Sequence, residues 1–422
     1  MRCDSKQSTP ARLRETLGSD DVGSMATPKP GPMHILSKLP SVETTIFTVM
    51  SRLAEQHGAL NLGQGFPDFD PPSELQAALA RHVASGRNQY APMAGVLRLR
   101  EQIARKLERD YGAALDPVHE ITVVSGATEG IFDVIAAVVS PDDEVVMLDP
   151  CYDSYEPAVR LQSGRALHVP LTPGRFSIDF ERLRAAINAR TRLVIVNFPH
   201  NPSGAVLNAQ DLDSLAECVR DSNALLLSDE VYEHIVFDGA PQQSLLRHPE
   251  LRERTFVVGS FGKAYHATGW KVGWVAAPTA LSLELRKVHQ FVTFSTSTPA
   301  QHAFAEVLEA DTGQLAALSG FYQHKRDSFR HLLSASHFRL LPVAGSYFQL
   351  ADFSAISHEP DVAFARRLVA EVGVAAIPIS VFYAEPPPEQ RLIRLCFAKS
   401  DATLEEAASR QNSLAARALS GA

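Results

Sequence analysis

Between about residues 73 and 276 the chain repeats one pattern: a short apolar run, a cluster of turn or polar residues, then a stretch with apolar side chains three and four apart. Such apolar runs suit strands buried on both faces. Their alternation with helical stretches predicts parallel pairing, because parallel neighbours need a crossover connection. The runs place strands at Ile121–Val124, Glu144–Leu148, Ala166–Val169, Leu193–Asn197, Ala224–Ser228, Thr255–Ser260 and Lys271–Ala276. Helices are expected at Glu129–Val139, Asp179–Asn188 and Asp211–Arg220, among others. The fold class is therefore α/β, with a mostly parallel seven-stranded sheet between helices. Beyond about residue 305 the helices lengthen and strands become few, as at Ser346–Leu350 and Arg391–Cys396, which predicts a second, smaller α+β domain.

Composition narrows the partners. In 422 residues, 40 basic side chains face 48 acidic ones for a net charge of −8, so no broad electropositive face for nucleic acid or anionic lipid is expected. Small molecules are the expected partners. Cys3, Cys151, Cys218 and Cys396 stand singly, without C-x-x-C, which excludes a disulfide framework and zinc-finger spacing and makes a reducing compartment, the cytoplasm, the default. The fifteen histidines include no H-E-x-x-H. Apolar runs such as Val134–Val139 fall well short of the ~20 residues of a membrane span. The stretch from Met1 to about Met33 mixes Ser, Thr, Pro, Gly and both charge signs without periodicity and reads as a flexible tail. Arg12 and Arg14 also fit a transit peptide, against Asp4, Glu15, Asp20 and Asp21, and Met25 or Met33 are alternative starts.

The unusual residues cluster just after predicted strand ends: Ser125-Gly126-Ala127-Thr128, Pro199-His200-Asn201-Pro202, Asp229-Glu230 and Ser260-Phe261-Gly262-Lys263. In open α/β sheets ligands bind outside the carboxyl ends of the strands, so these segments are expected to meet. Lys263, if desolvated, is a nucleophilic amine able to form a Schiff base; taken alone it also reads as a surface lysine in a Gly-containing loop. Asp229 closes an apolar strand and needs a cationic or hydrogen-bonding partner, such as a pyridinium nitrogen. Opposite charges ~4 Å apart attract by about 4 kcal/mol at an effective dielectric of ~20, enough to keep that nitrogen protonated. A helix N-cap is the plainer reading of Asp229.

The Ser125–Gly130 turn offers backbone N–H groups to a phosphate, or a simple cap built on Thr128. Gly63-Gln64-Gly65-Phe66 does not complete a dinucleotide fingerprint, and no P-loop occurs. Lys271 is a candidate second phosphate cation. Arg394, alone in an apolar strand, calls for a bidentate carboxylate, either from a ligand or from an Asp or Glu of the chain. Tyr90, Tyr152, Tyr155 and Tyr232 fit either ring stacking or ordinary packing.

In this order, Asn201-Pro202-x-Gly204, Ser228-Asp229-Glu230-x-Tyr232, Ser260-x-x-Lys263 and Arg394 resemble the class I and II aminotransferases, fold-type-I enzymes that use pyridoxal 5′-phosphate. The resemblance runs from about Ser37 into the C-terminal region. It implies a large cofactor-binding domain at 73–305 and a small domain at 306–422. The 34–72 segment would serve the small domain and the lid. It implies that Lys263 forms the Schiff base and moves the proton between substrate Cα and cofactor. Asp229 would partner the pyridine nitrogen, with Tyr232 and Asn201 bonding the 3′-oxygen. Gly126, Ala127, Thr128, Ser260 and Lys271 would form the phosphate cup, where many relatives carry Arg at the last position. Tyr152 would stack on the ring, and Tyr90 would reach the phosphate of a neighbouring subunit, which implies a homodimer with shared sites. Arg394 would grip the α-carboxylate, with Asn201 and Gly65 also against the substrate.

Within the family, Val288–Pro299 and Ser37-Lys38-Leu39-Pro40 are similar to the methionine and kynurenine/glutamine branch, so methionine, aromatic or kynurenine-like amino donors are implied, in a two-step ping-pong exchange with 2-oxo acids. A cysteine-conjugate C–S β-lyase on the same fold is the nearest alternative. An S-x-x-K serine hydrolase built on Ser260 and Lys263 is a distant one, since S-D-N and K-T-G do not follow.

Overall fold

The computed structural model describes residues 36–420, with side chains as far as Ser413. The expected tail of residues 1–33, and Cys3, lie outside them. All seven expected strands form one sheet: β1 (Ile121–Val124), β2 (Glu144–Asp149), β3 (Arg165–Pro170), β4 (Thr191–Asn197), β5 (Leu225–Asp229), β6 (Thr255–Ser260) and β7 (Gly273–Ala276). Their spatial order is β1-β7-β6-β5-β4-β2-β3. The pairs β2/β3, β2/β4, β4/β5 and β5/β6 are parallel. β7 runs antiparallel to both of its neighbours.

Strands β1, β2, β6 and β7 are buried along nearly their whole length, as continuous Val/Ile/Leu runs require when helices cover both faces. One such helix, α1 (Ala127–Val138), packs its Ile131, Val134 and Ile135 against Val124, Val258 and Val275 of the sheet. A second, α2 (Thr279–Val292), lies along α1.

Most boundaries shift by one or two residues, and two of the shifts have backbone reasons. Helix α1 starts at Ala127 rather than Glu129, because Gly126 at φ +76° turns the chain directly out of β1 into the helix. The last strand begins at Gly273 rather than Lys271, which sits in the left-handed region at φ +53° and outside the ladder. The reversal of β7 follows from its short connection to β6, and it has a consequence for the site. The start of β7 lies at the sheet edge where the other six strands end, with Gly273 opposite both Val124 and Ser260.

The C-terminal part of the chain adds a four-stranded antiparallel sheet of β8 (Arg339–Leu340), β9 (Phe348–Asp352), β10 (Ile377–Pro378) and β11 (Leu392–Cys396), in the order β10-β11-β9-β8. Leu60–Asn61 pairs in parallel with Val374–Ala375, tying the N-terminal segment to this part. Among the described residues no helix is long and apolar enough to cross a membrane. Cys151, Cys218 and Cys396 form no disulfide.

Candidate active site

The carboxyl edge of the large sheet opens into a cavity of about 670 Å³. Twelve of the thirteen residues to which the resemblance gives a role line it: Gly65, Gly126, Ala127, Thr128, Tyr152, Asn201, Asp229, Tyr232, Ser260, Lys263, Lys271 and Arg394. Tyr90 is the exception; 82% exposed, it stands on the surface against Phe294, ring centroids 5.6 Å apart.

Lys263 follows β6 in a single helical turn, Phe261–Ala264. Its Nζ donates to the Gly65 carbonyl at 3.0 Å and lies 5.7 and 5.8 Å from the ring centres of Tyr232 and Tyr347. No carboxylate comes within ion-pair distance of it among the described residues. Burial lowers its pKa to about 8, with Arg394 and Lys271 also lowering it and Asp229 acting in the other direction. The surface-loop reading of this lysine therefore fails.

Asp229 ends β5. Burial pushes its carboxyl up, and the Tyr155 hydroxyl, donating at 2.6 Å, opposes that. The chain after it forms turns rather than a helix, so it is no helix cap; its only local bond is from the Val231 N–H at 3.4 Å. Asn197 Nδ2 donates to the Asp229 carbonyl and Asn197 Oδ1 accepts from the Asn201 N–H, so one side chain at the end of β4 sets the spacing of both neighbours.

Arg394 comes from β11 and is 1% exposed. Its Nη1 donates to Asn201 Oδ1 at 2.6 Å and its Nη2 to the Gly63 carbonyl at 2.8 Å, while Nε has no partner. The guanidinium stands 4.0 Å from the centre of the Phe348 ring, between Phe47 and Phe382. Of the two carboxylate sources left open, an internal Asp or Glu is not found among the described residues: neutral oxygens hold this cation. A buried guanidinium so placed in an open cavity fits an anion brought by a ligand.

At the opposite end, Gly126 caps α1 without any side chain bonding the first-turn N–H groups, which overturns a cap built on Thr128. A Cβ at Gly126 would stand 3.0 Å from Lys271 Nζ, so only glycine lets the lysine approach the helix terminus this closely. Free helix N–H groups, a lysine and the Ser260 hydroxyl form a donor set with the chemistry of a phosphate cup. Together, a cup for phosphate, an amine for an aldehyde and a buried carboxylate for a pyridinium fit the parts of pyridoxal phosphate.

Sequence reasoning left Tyr155 between ring stacking and packing, without its bond to Asp229, and passed over Asn197 and Tyr347. Tyr347 donates its hydroxyl to the Gly65 carbonyl at 2.6 Å, the acceptor it shares with Lys263. The apolar contribution of Phe47 and Phe348 was also missed. A tyrosine three residues after Tyr152 was the visible signal for Tyr155; nothing local marks Tyr347, which acts 282 positions from its partner.

Comparisons with known proteins agree with this geometry. The family model described as aminotransferase class I and II matches residues 57–410. A methionine aminotransferase from Escherichia coli (strain K12) is 51% identical over 383 residues, covering 91% of this chain and 99% of its own. A kynurenine–oxoglutarate transaminase from Dictyostelium discoideum is 33% identical, covering 86% and 92%. A solved Escherichia coli structure described by its methionine aminotransferase function superposes with a TM-score of 0.88 at 51% identity, over 90% of this chain and all of that one. Matched by its family model across most of its length, the chain belongs to the class I and II aminotransferases, the pyridoxal-phosphate-dependent transaminases.

Proposed function

We propose that this transaminase takes methionine and other L-amino acids with large apolar, aromatic or kynurenine-like side chains as amino donors, with Lys263 as its catalytic base. The observation that carries the reading is one cavity holding two cations without carboxylate partners, half-buried Lys263 and buried Arg394, with Phe47, Phe66 and Phe348 among its lining. Among the described residues its lining cations are Lys263, Lys271 and Arg394, with no further charge to grip a distal carboxylate. The names of the relatives point the same way.

Bound pyridoxal phosphate supplies an electron-poor ring that takes up the electron pair left when the substrate Cα loses its proton. Arg394 holds the α-carboxylate, and Asn201, accepting from Nη1, keeps the guanidinium aimed at it. Lys263 in its neutral form takes the Cα proton and returns it one carbon away; its lowered pKa leaves a useful fraction of free amine near neutrality. Asp229 accepts the pyridine N–H, and Tyr155 holds the carboxylate to that task. Tyr232 and Asn201 would hold the 3′-oxygen and Tyr152 would pack against the ring, all three lining the cavity. Gly126, Ala127, Thr128, Ser260 and Lys271 hold the phosphate. Gly65, whose carbonyl binds both Lys263 and Tyr347, shapes the substrate side; a Cβ there would fall 2.9 Å from Phe348.

The same reading includes a cytoplasmic homodimer with shared sites, in which Tyr90 reaches the partner's phosphate, and a division into large (73–305) and small (34–72 and 306–422) domains. The exposed Tyr90, Phe291 and Phe294 support the dimer. The deciding experiment follows the visible absorbance of the protein with pyridoxal phosphate. Methionine alone should collapse the long-wavelength band and a 2-oxo acid restore it. Efficient turnover of aspartate with none of methionine or phenylalanine would overturn the donor class, and pyruvate release from cysteine conjugates without an acceptor would favour the β-lyase.

A further inference from the structure

Behind the first turn of α1, facing away from the cavity, lies a fully buried histidine for which the reaction described above has no use. His289, near the end of α2, is 0% exposed. Its Nδ1 lies 2.8 Å from Glu129 Oε1 and its Nε2 lies 3.0 Å from the Met93 carbonyl oxygen. A carbonyl only accepts, so Nε2 carries a proton. The other Glu129 oxygen accepts the Ser125 N–H; burial opposes a charge on this carboxyl, but the bonds from His289 and Ser125 hold it below the usual carboxylate range, so it is ionised and Nδ1 donates as well. Asp133, one turn further along α1, brings a second carboxylate to 3.4 Å of Nδ1. Burial opposes a charge here, but the two carboxylates outweigh it and push the His289 pKa up to about 9.

These bonds join three segments that share no sequence proximity. Ser125 and Glu129 bracket Gly126, Ala127 and Thr128. Met93 sits in the loop that follows Tyr90. The α2 terminus leads into Thr296, whose hydroxyl donates to the Lys271 carbonyl at 3.3 Å. We propose that His289 is a positioning residue for cofactor binding: as a buried imidazolium it clamps Glu129 and the Met93 carbonyl. In doing so it fixes the direction in which the Gly126–Thr128 N–H groups point into the cavity. The inference rests on the phosphate-cup reading above. A helix terminus binds an anion through the aim of a few N–H groups, so a small rotation of the first turn weakens the site without unfolding it.

The test is a titration of the apoprotein with pyridoxal phosphate and, separately, with pyridoxal, which lacks the phosphate. For His289→Gln, on the order of a tenfold loss of pyridoxal phosphate affinity is expected, with pyridoxal affinity unchanged. Glu129→Gln, which keeps an oxygen for Ser125 but loses the charge facing His289, should show the same selective loss to a smaller degree. A merely structural role predicts an equal fall for both ligands, or a lower melting temperature with the affinity ratio intact, and either result overturns the proposal. Lys271→Met separates the two levels. If it weakens pyridoxal phosphate selectively and His289→Gln does not, the clamp is wrong and the cup stands. If neither is selective, the cup itself is wrong.

Discussion

Two lysines withdrawn from solvent, Lys106 buried and Lys263 half-buried, have opposite surroundings. Lys106 is 2.6 Å from Glu233 Oε2, which also accepts from the Tyr111 hydroxyl at 2.6 Å, and the ammonium stands over Trp274. Lys263 has a single carbonyl and two aromatic rings. The same contrast separates two buried arginines: Arg326 holds Asp238 through both Nη atoms at 2.7 and 2.8 Å, whereas Arg394 rests on Asn201 and a backbone carbonyl. A cation given its own carboxylate belongs to the architecture. One held in place only by neutral oxygens at a cavity wall keeps its charge, or its lone pair, for a ligand.

The sharpest way to break this comparison is to remove each lysine. Lys263→Ala should lower transamination by on the order of 10⁴-fold or more while the protein still folds, measured as turnover of methionine with a 2-oxo acid; retained turnover takes Lys263 out of its role. Next in size, Arg394→Gln should cost about 2–5 kcal/mol of transition-state binding for both amino acid and 2-oxo acid, read as kcat/KM, with pyridoxal phosphate affinity unchanged. Lys106→Met makes the opposite case. It leaves Glu233 buried and unpaired, so a loss of roughly 3–5 kcal/mol in denaturant unfolding is expected with KM unaltered. A selective KM effect would show that the paired lysine is not purely architectural.

The smallest effect concerns pH. With a folded pKa of about 8 against the ordinary 10.5, Lys263 binds fewer protons in the folded apoprotein than in the unfolded chain between those values. Stability linked to this group therefore rises as pH climbs through that window, and below pH 8 the buried charge is a standing penalty. Lys263→Met apoprotein should be the more stable form at pH 7, and its advantage should vanish by about pH 10.5. An advantage independent of pH would mean that the amine is not desolvated.

Much of this site could be read before any coordinates, because its parts stand at strand ends, and strand ends are marked locally by apolar runs that stop at Gly, Asn, Asp or Ser. Asp229, Ser260 and Lys263 were found that way. Lys271 was expected inside a strand and instead occupies a left-handed turn before one; a positive φ at a lysine leaves no trace in residue pattern. Whether Arg394 had an internal carboxylate was open from sequence, since that depends on what lies opposite it in space. Tyr347 and Asn197 went unseen for the same reason.

What the sequence alone determined was the set of chemistries and the layers that carry them: helix and strand periods, glycine at the phosphate turn, and the motif order that identifies the family. The tertiary structure decided where each group points and which charges are left unpaired. It reversed β7 to set Lys271 beside Gly126, and it brought Arg394 to Asn201 across 193 positions. It also enclosed His289 between two carboxylates. Periodicity is a property of neighbours along the chain, whereas desolvation and pairing depend on residues that only packing brings together, and those two quantities set the chemistry of the site.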